Sequence, residues 1–451
     1  MGGPAAEKDS SAEAPTAVQT KNLKGNASMK KVTSALALAA LVGTPAAAMA
    51  NVEFGGDLDI RAFSTDTVDL QDELPNGDPN PNFGNREQRT GTNQRIRLSG
   101  SFETDGGVAV HTRLNLMNDR WWGDASGTTT EDETPFSGRN HRNVELDYGY
   151  VSLPMFGGSL NVGRQMANWN PMGLTTTDDR RDRISYVRPL GGGHTGILLY
   201  DQRQSQTTTD RSDDGNLVAG ALLGPLAEGV NYGLLLVQFN SGGSGGNYVL
   251  RGSTLVSPYI EGQAGDFTYG AGFHYLGDSH AELYTEDTFG GYVTGGFQMT
   301  PEFKLEGQIF HAADGNLVAG GYDSYSSLIN NSPDHDQSPT SIGLLNLSGL
   351  AAPGGAGTEG QDGMERTLVA ARGTYTMMDW TFKGALGWVN YDDGDASPRD
   401  EDVVFVDAQA HYALTPSTTI YATAGYADMD EDENGFRDEV YATSLNLNVQ
   451  F

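Results

Sequence analysis

The sequence predicts an all-β protein: a transmembrane, antiparallel, up-and-down β-barrel of 18 strands. Three observations lead to this fold class. Segments in which apolar and polar residues alternate recur along the chain. The connections between these segments alternate between short and long. A segment near the N-terminus has the features of a cleaved export signal.

The alternating segments have a period of two, which is the period of a β-strand with one apolar and one polar face. Their polar faces carry charged side chains, as expected for the inner wall of a water-filled barrel. Clear examples are NVEFGGDLDIRAF (51–63), QRIRLSGSFE (94–103), WTFKGALGW (380–388) and VFVDAQAHY (404–412). The aromatic residues Tyr148, Tyr150, Trp380 and Trp388 lie near predicted strand ends, where lipid-facing aromatic girdles are expected.

The hydropathy of the chain agrees with a barrel rather than with a bundle of membrane helices. The mean hydropathy is −0.43, and only 37% of the residues are hydrophobic. A membrane helix needs about 20 consecutive apolar residues, and the predicted mature chain contains no such segment. In a barrel only every second residue of a strand has to be apolar.

The connections follow the rule of outer-membrane barrels, in which short periplasmic turns alternate with longer outer loops. The count is 18 strands, and it falls to 16 if the weakly patterned pair 215–223 and 229–240 is not a hairpin. The heptad DGNLVAG occurs at 214–220 and again at 314–320, and nothing in the sequence explains the repeat. The predicted short turns are 104–107, 154–158, 190–194, 224–229, 262–266, 299–302, 377–379 and 414–417.

The N-terminal region predicts export. From Met29 the chain reads MKKVTSALALAALVGTPAAAMA, in which two lysines precede an apolar stretch and Ala48-Met49-Ala50 fits a small-x-small cleavage site. We therefore expect a polar extension outside the fold at 1–28, a signal peptide at 29–50 and a barrel domain at 51–451. The expected location is the cell outer membrane.

Composition excludes several classes of function. The chain has no Cys, which rules out disulfides, iron–sulfur clusters and thiolate zinc sites. The net charge of −31 argues against a nucleic-acid partner, which requires a basic footprint. No arrangement of residues indicates a catalytic site, and no cofactor is expected. One weak metal candidate is the acidic last outer loop, where Asp430, Asp432 and Asn434 match the first half of a calcium loop, but its twelfth position is Tyr441 rather than Glu.

Four features of the chain are typical of one family of membrane barrels. They are the signal peptide, the opening strand, the hairpin YVSLPMFGGSLNVGRQ (150–165) before a long third outer loop, and the ending ALTPSTTIYATAGY (413–426) with YATSLNLNVQF (441–451). In these features the chain resembles the Gram-negative outer-membrane porin family, of the general diffusion type. The resemblance implies a homotrimer in outer-membrane lipid that forms a water-filled channel for passive diffusion of ions and small hydrophilic solutes. General porins usually have 16 strands, whereas sugar-selective and basic-amino-acid-selective porins have 18.

In porins the third outer loop folds into the barrel and narrows it. The resemblance assigns that role to residues 167–181. Acidic residues on the loop facing arginines on the wall would produce a transverse field that sorts solutes by charge. The loop candidates are Asp178, Asp179, Arg180 and Arg181, with Asp182 and Arg183 directly after them. The wall candidates are Arg61, Arg95, Arg97, Arg113 and Arg372, together with Arg164, which sits on the apolar parity and can face inward only if a β-bulge intervenes. Because the chain is acidic, and because inward acids offset the arginines, we expect a weak preference for cations. These inward acids are Glu53, Asp57, Asp59, Glu103, Glu145 and Asp147.

The last strand ends on an aromatic residue, and the resemblance implies that the barrel assembly machinery recognises it during biogenesis. Its apolar face consists of Tyr441, Leu445, Leu447, Val449 and Phe451. To close the barrel, this strand has to pair with the first one near 51–62. Two functions other than general diffusion stay open: a substrate-specific channel for sugars or organic anions, and a barrel scaffold without transport.

Overall fold

The structure is a computed structural model, and it describes the barrel strands and their short turns. The described residues are 51–68, 86–122, 144–169, 176–204, 215–241, 252–277, 288–313, 325, 365–392, 400–429 and 439–451. The predicted extension, the predicted signal peptide, the second DGNLVAG and the calcium candidates Asp430, Asp432 and Asn434 lie outside them.

The described residues form 18 strands, which confirms the predicted number and corrects the alternative of 16. The weakly patterned pair is a genuine hairpin, β8–β9. The strands are β1 (Asn51–Val68), β2 (Arg86–Glu103), β3 (Ala109–Trp121), β4 (Glu145–Met155), β5 (Gly158–Trp169), β6 (Thr176–Gly191), β7 (His194–Gln204), β8 (Gly215–Ala227), β9 (Val230–Ser241), β10 (Thr254–Ala264), β11 (Phe267–Gly277), β12 (Thr288–Gln298), β13 (Phe303–Ala312), β14 (Glu365–Met377), β15 (Trp380–Asp392), β16 (Asp400–Thr415), β17 (Thr418–Met429) and β18 (Glu439–Gln450).

Every strand pairs in antiparallel fashion with its neighbours in sequence, and β1 also pairs with β18, so the sheet is a closed barrel. In the closing pair Asp59 lies opposite Asn448. Beyond it, the N–H groups of Gly56 and Phe451 donate to each other's carbonyl oxygens at 2.8 and 3.0 Å. Closure leaves no unpaired sheet edge, which a barrel in hydrocarbon requires.

The turns occur where the sequence predicts them. In the β4–β5 turn, Phe156 and Gly157 both have positive φ (49° and 76°), as expected for a tight two-residue hairpin turn. The third outer loop is shorter than predicted, because β5 continues to Trp169 and β6 begins at Thr176. Extended strands therefore occupy much of the segment predicted as a loop at 167–181.

The two faces of most strands are as the alternation predicts. On β18, Leu445 is 58% exposed on the outer face, whereas Asn446 is 2% exposed on the inner face. Bulges are the exceptions. Between β3 and β4 the register advances by two residues on β4 for one on β3, at Asp147. As a result Tyr148 and Tyr150 face the lumen, opposite Arg113 and His111, and our prediction that they belong to a lipid-facing girdle is wrong.

Strands β8 and β9 differ from the others because both of their faces are largely apolar, and the apolar inner face extends to single residues of β10 and β11. The outward residues include Val218, Leu236 and Ile260, which are exposed. The inward residues are nevertheless buried, so protein covers this part of the inner wall. These inward residues are Leu217, Ala219, Leu235, Val237, Phe239, Leu255 and Leu276, and we call them the apolar inner wall.

Several inward aromatic rings lie flat over glycines of the neighbouring strand. A Cβ placed on Gly272 would lie 2.3 Å from the Tyr292 ring, and one on Gly387 would lie 2.4 Å from the Phe405 ring. The absence of a side chain on these glycines therefore lets large inward rings rest against the wall. Within the described part of the chain, the structure contains no helix that could cross a membrane.

Candidate functional site: the inner wall and the tip of the β5–β6 hairpin

One arc of the inner wall, on β1 and β2, is lined by paired arginines and aspartates. The guanidinium of Arg95 donates to Asp59 at 2.8 Å, and Arg97 donates to both carboxylate oxygens of Asp57 at 2.9 and 3.0 Å. Arg61 is 1% exposed, with a nitrogen 4.0 Å from Asp59. Inward parity brings these groups together because β1 and β2 place every second residue in the lumen.

The charged lining continues on β3 to β7. Arg113 and Arg180 both donate to Asp147, which shares the inward parity of Glu145. Arg183 makes a two-point contact with Asp201, at 2.6 and 2.7 Å. Such fork-to-carboxylate pairs fix both side chains in orientation. We name this lining the arginine arc, and it consists of Arg61, Arg95, Arg97, Arg113, Arg180 and Arg183 with Asp57, Asp59, Asp147 and Asp201.

The tip of the β5–β6 hairpin (165–169 and 176–181) leaves the wall. Pairing between β4 and β5 ends at Gly149 and Arg164, although β5 continues for five more residues. Farther along, the β5–β6 register shifts between Ala167 and Trp169. The tip therefore separates from β4, and Arg180 reaches across from it to Asp147 on β4.

Trp169, at the end of β5, packs against the inner wall of strands that are not its neighbours. Its indole is 8% exposed and belongs to the apolar inner wall cluster on β8 to β11. The indole N–H donates to Ser257 on β10, and the ring meets that of Tyr259 edge to face at 5.4 Å. The hairpin tip thus crosses part of the lumen, which explains why the inward residues of β8 and β9 are apolar and buried.

The structure places most of the predicted wall residues as expected. Arg61, Arg95, Arg97, Arg113 and Arg372 all face inward. Among the loop candidates, Arg180, Arg181 and Arg183 lie on β6, where Arg181 is opposite Gln165. Asp178 and Asp179 also belong to β6, but their side chains lie outside the described part of the structure. A role in selectivity stays a prediction for all of them.

The structure corrects the predicted positions of Arg164 and Asp182 in the pore. The bulge that would turn Arg164 inward does not precede it, because β4, β5 and β6 are in regular register through Gly149, Arg164 and Asp182. Both side chains lie on the outer face, on the parity of the exposed Val162 and Ile184. They form an ion pair at 3.5 Å outside the pore.

A second charged group lies on β13 to β15, on a different part of the wall. Glu306 accepts from Lys304 at 2.8 Å and from Arg372 at 3.0 Å. The ring of Tyr325, which belongs to the long connection between β13 and β14, lies 4.0 Å from the Arg372 guanidinium carbon. Tyr325 is 6% exposed, so this residue of an outer connection is buried beside an inward-facing arginine.

Reasoning from the sequence missed Asp201, Trp169, Ser257 and Tyr325. One signal could have indicated the Trp169 contact: in β8 and β9 the polar face is lost, and an inner wall that is apolar needs a cover. No comparable signal marks Tyr325. On β18, the exposed Tyr441, Leu445 and Phe451 lie on the outer face as predicted, although nothing in the structure tests recognition by the assembly machinery.

Comparison with known proteins gives the family. A family model described as Gram-negative porin matches residues 37–432, which is most of the chain. The chain belongs to the Gram-negative porin family. No curated protein matches the sequence of this porin.

Solved structures share the fold of the porin at low sequence identity. OccAB4 of Acinetobacter baumannii is 10% identical with a TM-score of 0.54, over 89% of this chain and 98% of that one. OpdK of Pseudomonas aeruginosa, solved with vanillate, is 11% identical with a TM-score of 0.51, over 88% and 98%. OprD of the same organism is 10% identical with a TM-score of 0.50, over 88% and 93%. At this identity the likeness establishes the barrel fold.

Family and fold together make the porin an outer-membrane diffusion channel. Its water-facing surface is the inner wall described above.

Proposed function

We propose that this porin favours small anions, because the arginine arc carries more positive than negative charge. The arc contains six arginines and four aspartates; Arg180 lies on the hairpin tip and the other members lie on the inner faces of β1 to β7. The other inward acids that the structure describes on these strands, Glu53, Glu103 and Glu145, lie at or within two residues of a strand end, where bulk water screens them more. Charged groups that line a narrow pore influence permeation more than charges on outer loops, which bulk water and salt screen. The net positive charge of the arc therefore determines selectivity more than the acidic net charge of the whole chain. This proposal replaces the cation preference expected from composition.

The aspartates have a positioning role in this proposal. Each one holds an arginine by a short charge-assisted contact, such as that of Arg183 with Asp201, so the fixed guanidinium planes cannot collapse onto the wall. Arginine stays charged over the whole working pH range and can hold a carboxylate or phosphate by two points. The arrangement supports weak, repeated contacts with anions along the wall.

The test is a reversal potential in a potassium chloride gradient, measured on the purified porin in a planar lipid bilayer. We expect a sign that indicates chloride preference, and a preference that weakens as salt rises because screening increases. A potential of potassium-selective sign would overturn the proposal and favour the estimate from net charge. Absence of conductance would support the barrel scaffold without transport.

A substrate-specific channel for sugars or organic anions is the second candidate. The observation in its favour is the pair of half-buried inward rings of Tyr148 and Tyr150 on β4, whose centroids lie 6.2 Å apart. Rings of this kind can stack on a solute. A specific channel shows saturable block of the ion current by one solute, whereas a general channel shows block that depends only on solute size.

We also propose that the porin is a homotrimer whose subunits meet through the wall around β5 and β6. The supporting observation is the outward ion pair of Arg164 and Asp182, since charged groups on a lipid face are unfavourable unless protein or headgroups cover them. Light scattering of the detergent complex should give three chains per particle. Replacement of Arg164 by Leu should leave the monomer folded and alter the oligomer; a monomeric wild type would contradict this.

Export by a cleaved signal peptide at 29–50 remains part of the proposal. N-terminal sequencing of the protein from outer membranes should begin at Asn51. Any other start within the barrel domain would refute the predicted cleavage site.

A further inference from the structure

Residues 51–451 contain only two lysines, Lys304 and Lys383, and both face the lumen from the same register row of the sheet. Lys304 on β13 lies opposite Thr374 on β14, and Thr374 lies opposite Lys383 on β15. Their lipid-facing neighbours Leu305 and Phe382 are exposed, which fixes the inward direction of both lysines. One row of the inner wall therefore reads Lys, Thr, Lys, with a hydroxyl between two ammonium groups.

Arg372 adds a third cation one row above. Glu306 accepts from Lys304 at 2.8 Å and from Arg372 at 3.0 and 3.1 Å, so it holds these two side chains on adjacent strands. The ring of Tyr325 covers one face of the guanidinium. Arg372 is thereby fixed in place. On β16, Asp407 supplies a second carboxylate, opposite Ala385 in the register. Three cations face two carboxylates in this part of the wall.

This group lies nearer the periplasmic mouth than most of the arginine arc. Lys304 is one residue and Lys383 three residues from the short-turn end of its strand. Arg97 and Arg95 are six and eight residues from the corresponding end of β2. At about 3.3 Å per residue and a tilt of about 40°, the two lysines lie roughly 10 Å nearer the periplasmic mouth than Arg95 and Arg97. Arg113, four residues from the short-turn end of β3, is the member of the arc nearest to their level.

Both cations are lysines, although every other Lys or Arg position after residue 50 is arginine. An ammonium on four methylenes is a strongly hydrated point charge with three rotatable donors, so Lys304 can keep its contact with Glu306 and still donate to a solute. Two such groups, about 10 Å apart at the backbone because they are two strands apart, can converge on one small solute and release it again. Conduction requires binding that is favourable but weak enough to allow exit.

We propose that Lys304, Thr374 and Lys383 form a binding subsite for small dianionic oxyanions, such as phosphate, at the periplasmic mouth of the channel. The two ammonium groups neutralise the dianion, and the Thr374 hydroxyl donates to an oxygen between them. Arg372, held by Glu306 and Tyr325, supplies a fixed positive charge above the site. The proposal extends the anion preference proposed above and depends on the porin being an open channel.

The test is block of the chloride current by inorganic phosphate in single channels. The variants are Lys304→Gln with Lys383→Gln, and as a matched control Lys304→Arg with Lys383→Arg, which keeps both charges. We expect the Gln pair to need about tenfold more phosphate for half block, because two partly exposed cations contribute modestly each, while the Arg pair stays within about twofold of wild type. The Gln pair should also abolish any difference between phosphate and chloride in the reversal potential.

Sulfate and succinate, added in the same way, distinguish recognition of any dianion from recognition of the tetrahedral phosphate group. Half block by phosphate at the same concentration in wild type and in the Gln pair would overturn the subsite. Loss of block in the Arg pair as well would also overturn it, because that result assigns the effect to shape rather than charge. A wild type that does not conduct would instead refute the proposed function itself.

Discussion

The indole N–H of Trp169 donates to both oxygens of Ser257, to the hydroxyl at 3.0 Å and to the carbonyl at 3.2 Å, although 88 residues separate the two in sequence. Trp169 belongs to a hairpin that starts on the wall at β5, and Ser257 belongs to β10. The contact therefore holds the hairpin tip across the lumen. Its burial among apolar side chains makes it strong, since tryptophan contributes a large buried area in addition to its hydrogen bond.

Replacement of Trp169 by Ala should release the hairpin tip. Truncation of a packed Trp typically costs about 3–5 kcal/mol. A loss of this size should detach the hairpin tip from the opposite wall. We expect a larger and noisier single-channel conductance, and passage of larger uncharged solutes in liposome-swelling assays. Trp380→Ala is the matched control, because Trp380 lies on the outer face. Equal changes in both variants would show a general loss of stability.

Neutralising Arg95 and Arg97 together with Gln should shift selectivity towards cations. The change removes two positive charges and leaves Asp57 and Asp59 without their nearest arginines, so both effects act in the same direction. We expect the chloride-to-potassium permeability ratio to fall by roughly two- to threefold at low salt. The matched control is Arg188→Gln, since Arg188 is exposed on the outer parity of β6. An unchanged ratio in the double variant would refute a role for the arc in selectivity.

Replacement of Gly272 by Ala should destabilise the barrel. The new methyl group would lie 2.3 Å from the Tyr292 ring, which has to move into the lumen. Overpacking of this kind costs about 1–3 kcal/mol, so the temperature at which the folded band disappears on a semi-native gel should fall. Gly295→Ala is the control, because no atom lies within 4 Å of a Cβ at that position. We expect no loss of stability there.

Deletion of Phe451 should impair assembly far more than the conductance of the pores that do form. The residue contributes an exposed aromatic ring and also two backbone hydrogen bonds with Gly56. Phe451→Ala separates the two, since it keeps the backbone pair and removes only the ring. The yield of folded barrel in outer membranes should fall in both variants if the ring is the recognised feature. Normal yield of the Ala variant would assign the effect to the backbone pair.

The sequence predicts the barrel, its 18 strands and the inward arginines because a period of two acts on every strand. It does not reveal a bulge, since one extra residue leaves the local pattern unchanged. The bulge at Asp147 reverses the parity of Tyr148 and Tyr150, which therefore share the inner face with Asp147 and its partners Arg113 and Arg180. The inward placement predicted for Arg164 is wrong for the opposite reason. It requires a bulge, and the register at Arg164 is regular.

Contacts across the lumen lie beyond any local pattern. Trp169 and Ser257 meet only because the β5–β6 tip leaves the wall, and Tyr325 reaches Arg372 from a long outer connection. Neither meeting follows from alternation within one strand. What the sequence does contain is the consequence for the opposite wall, where β8 and β9 lose their polar face because the hairpin tip covers it.

The pairing of β1 with β18 also determines when the barrel can close. Asn448 donates to Asp59 across a separation of 389 residues, so the closing contacts have nearly the largest sequence separation that the chain allows. A high contact order of this kind makes folding slow. Until its last strand is available, β1 keeps an open edge that can pair with other chains. This porin therefore depends on being kept unaggregated between export and insertion, and a chain interrupted before β18 should be an aggregation hazard rather than a partial channel.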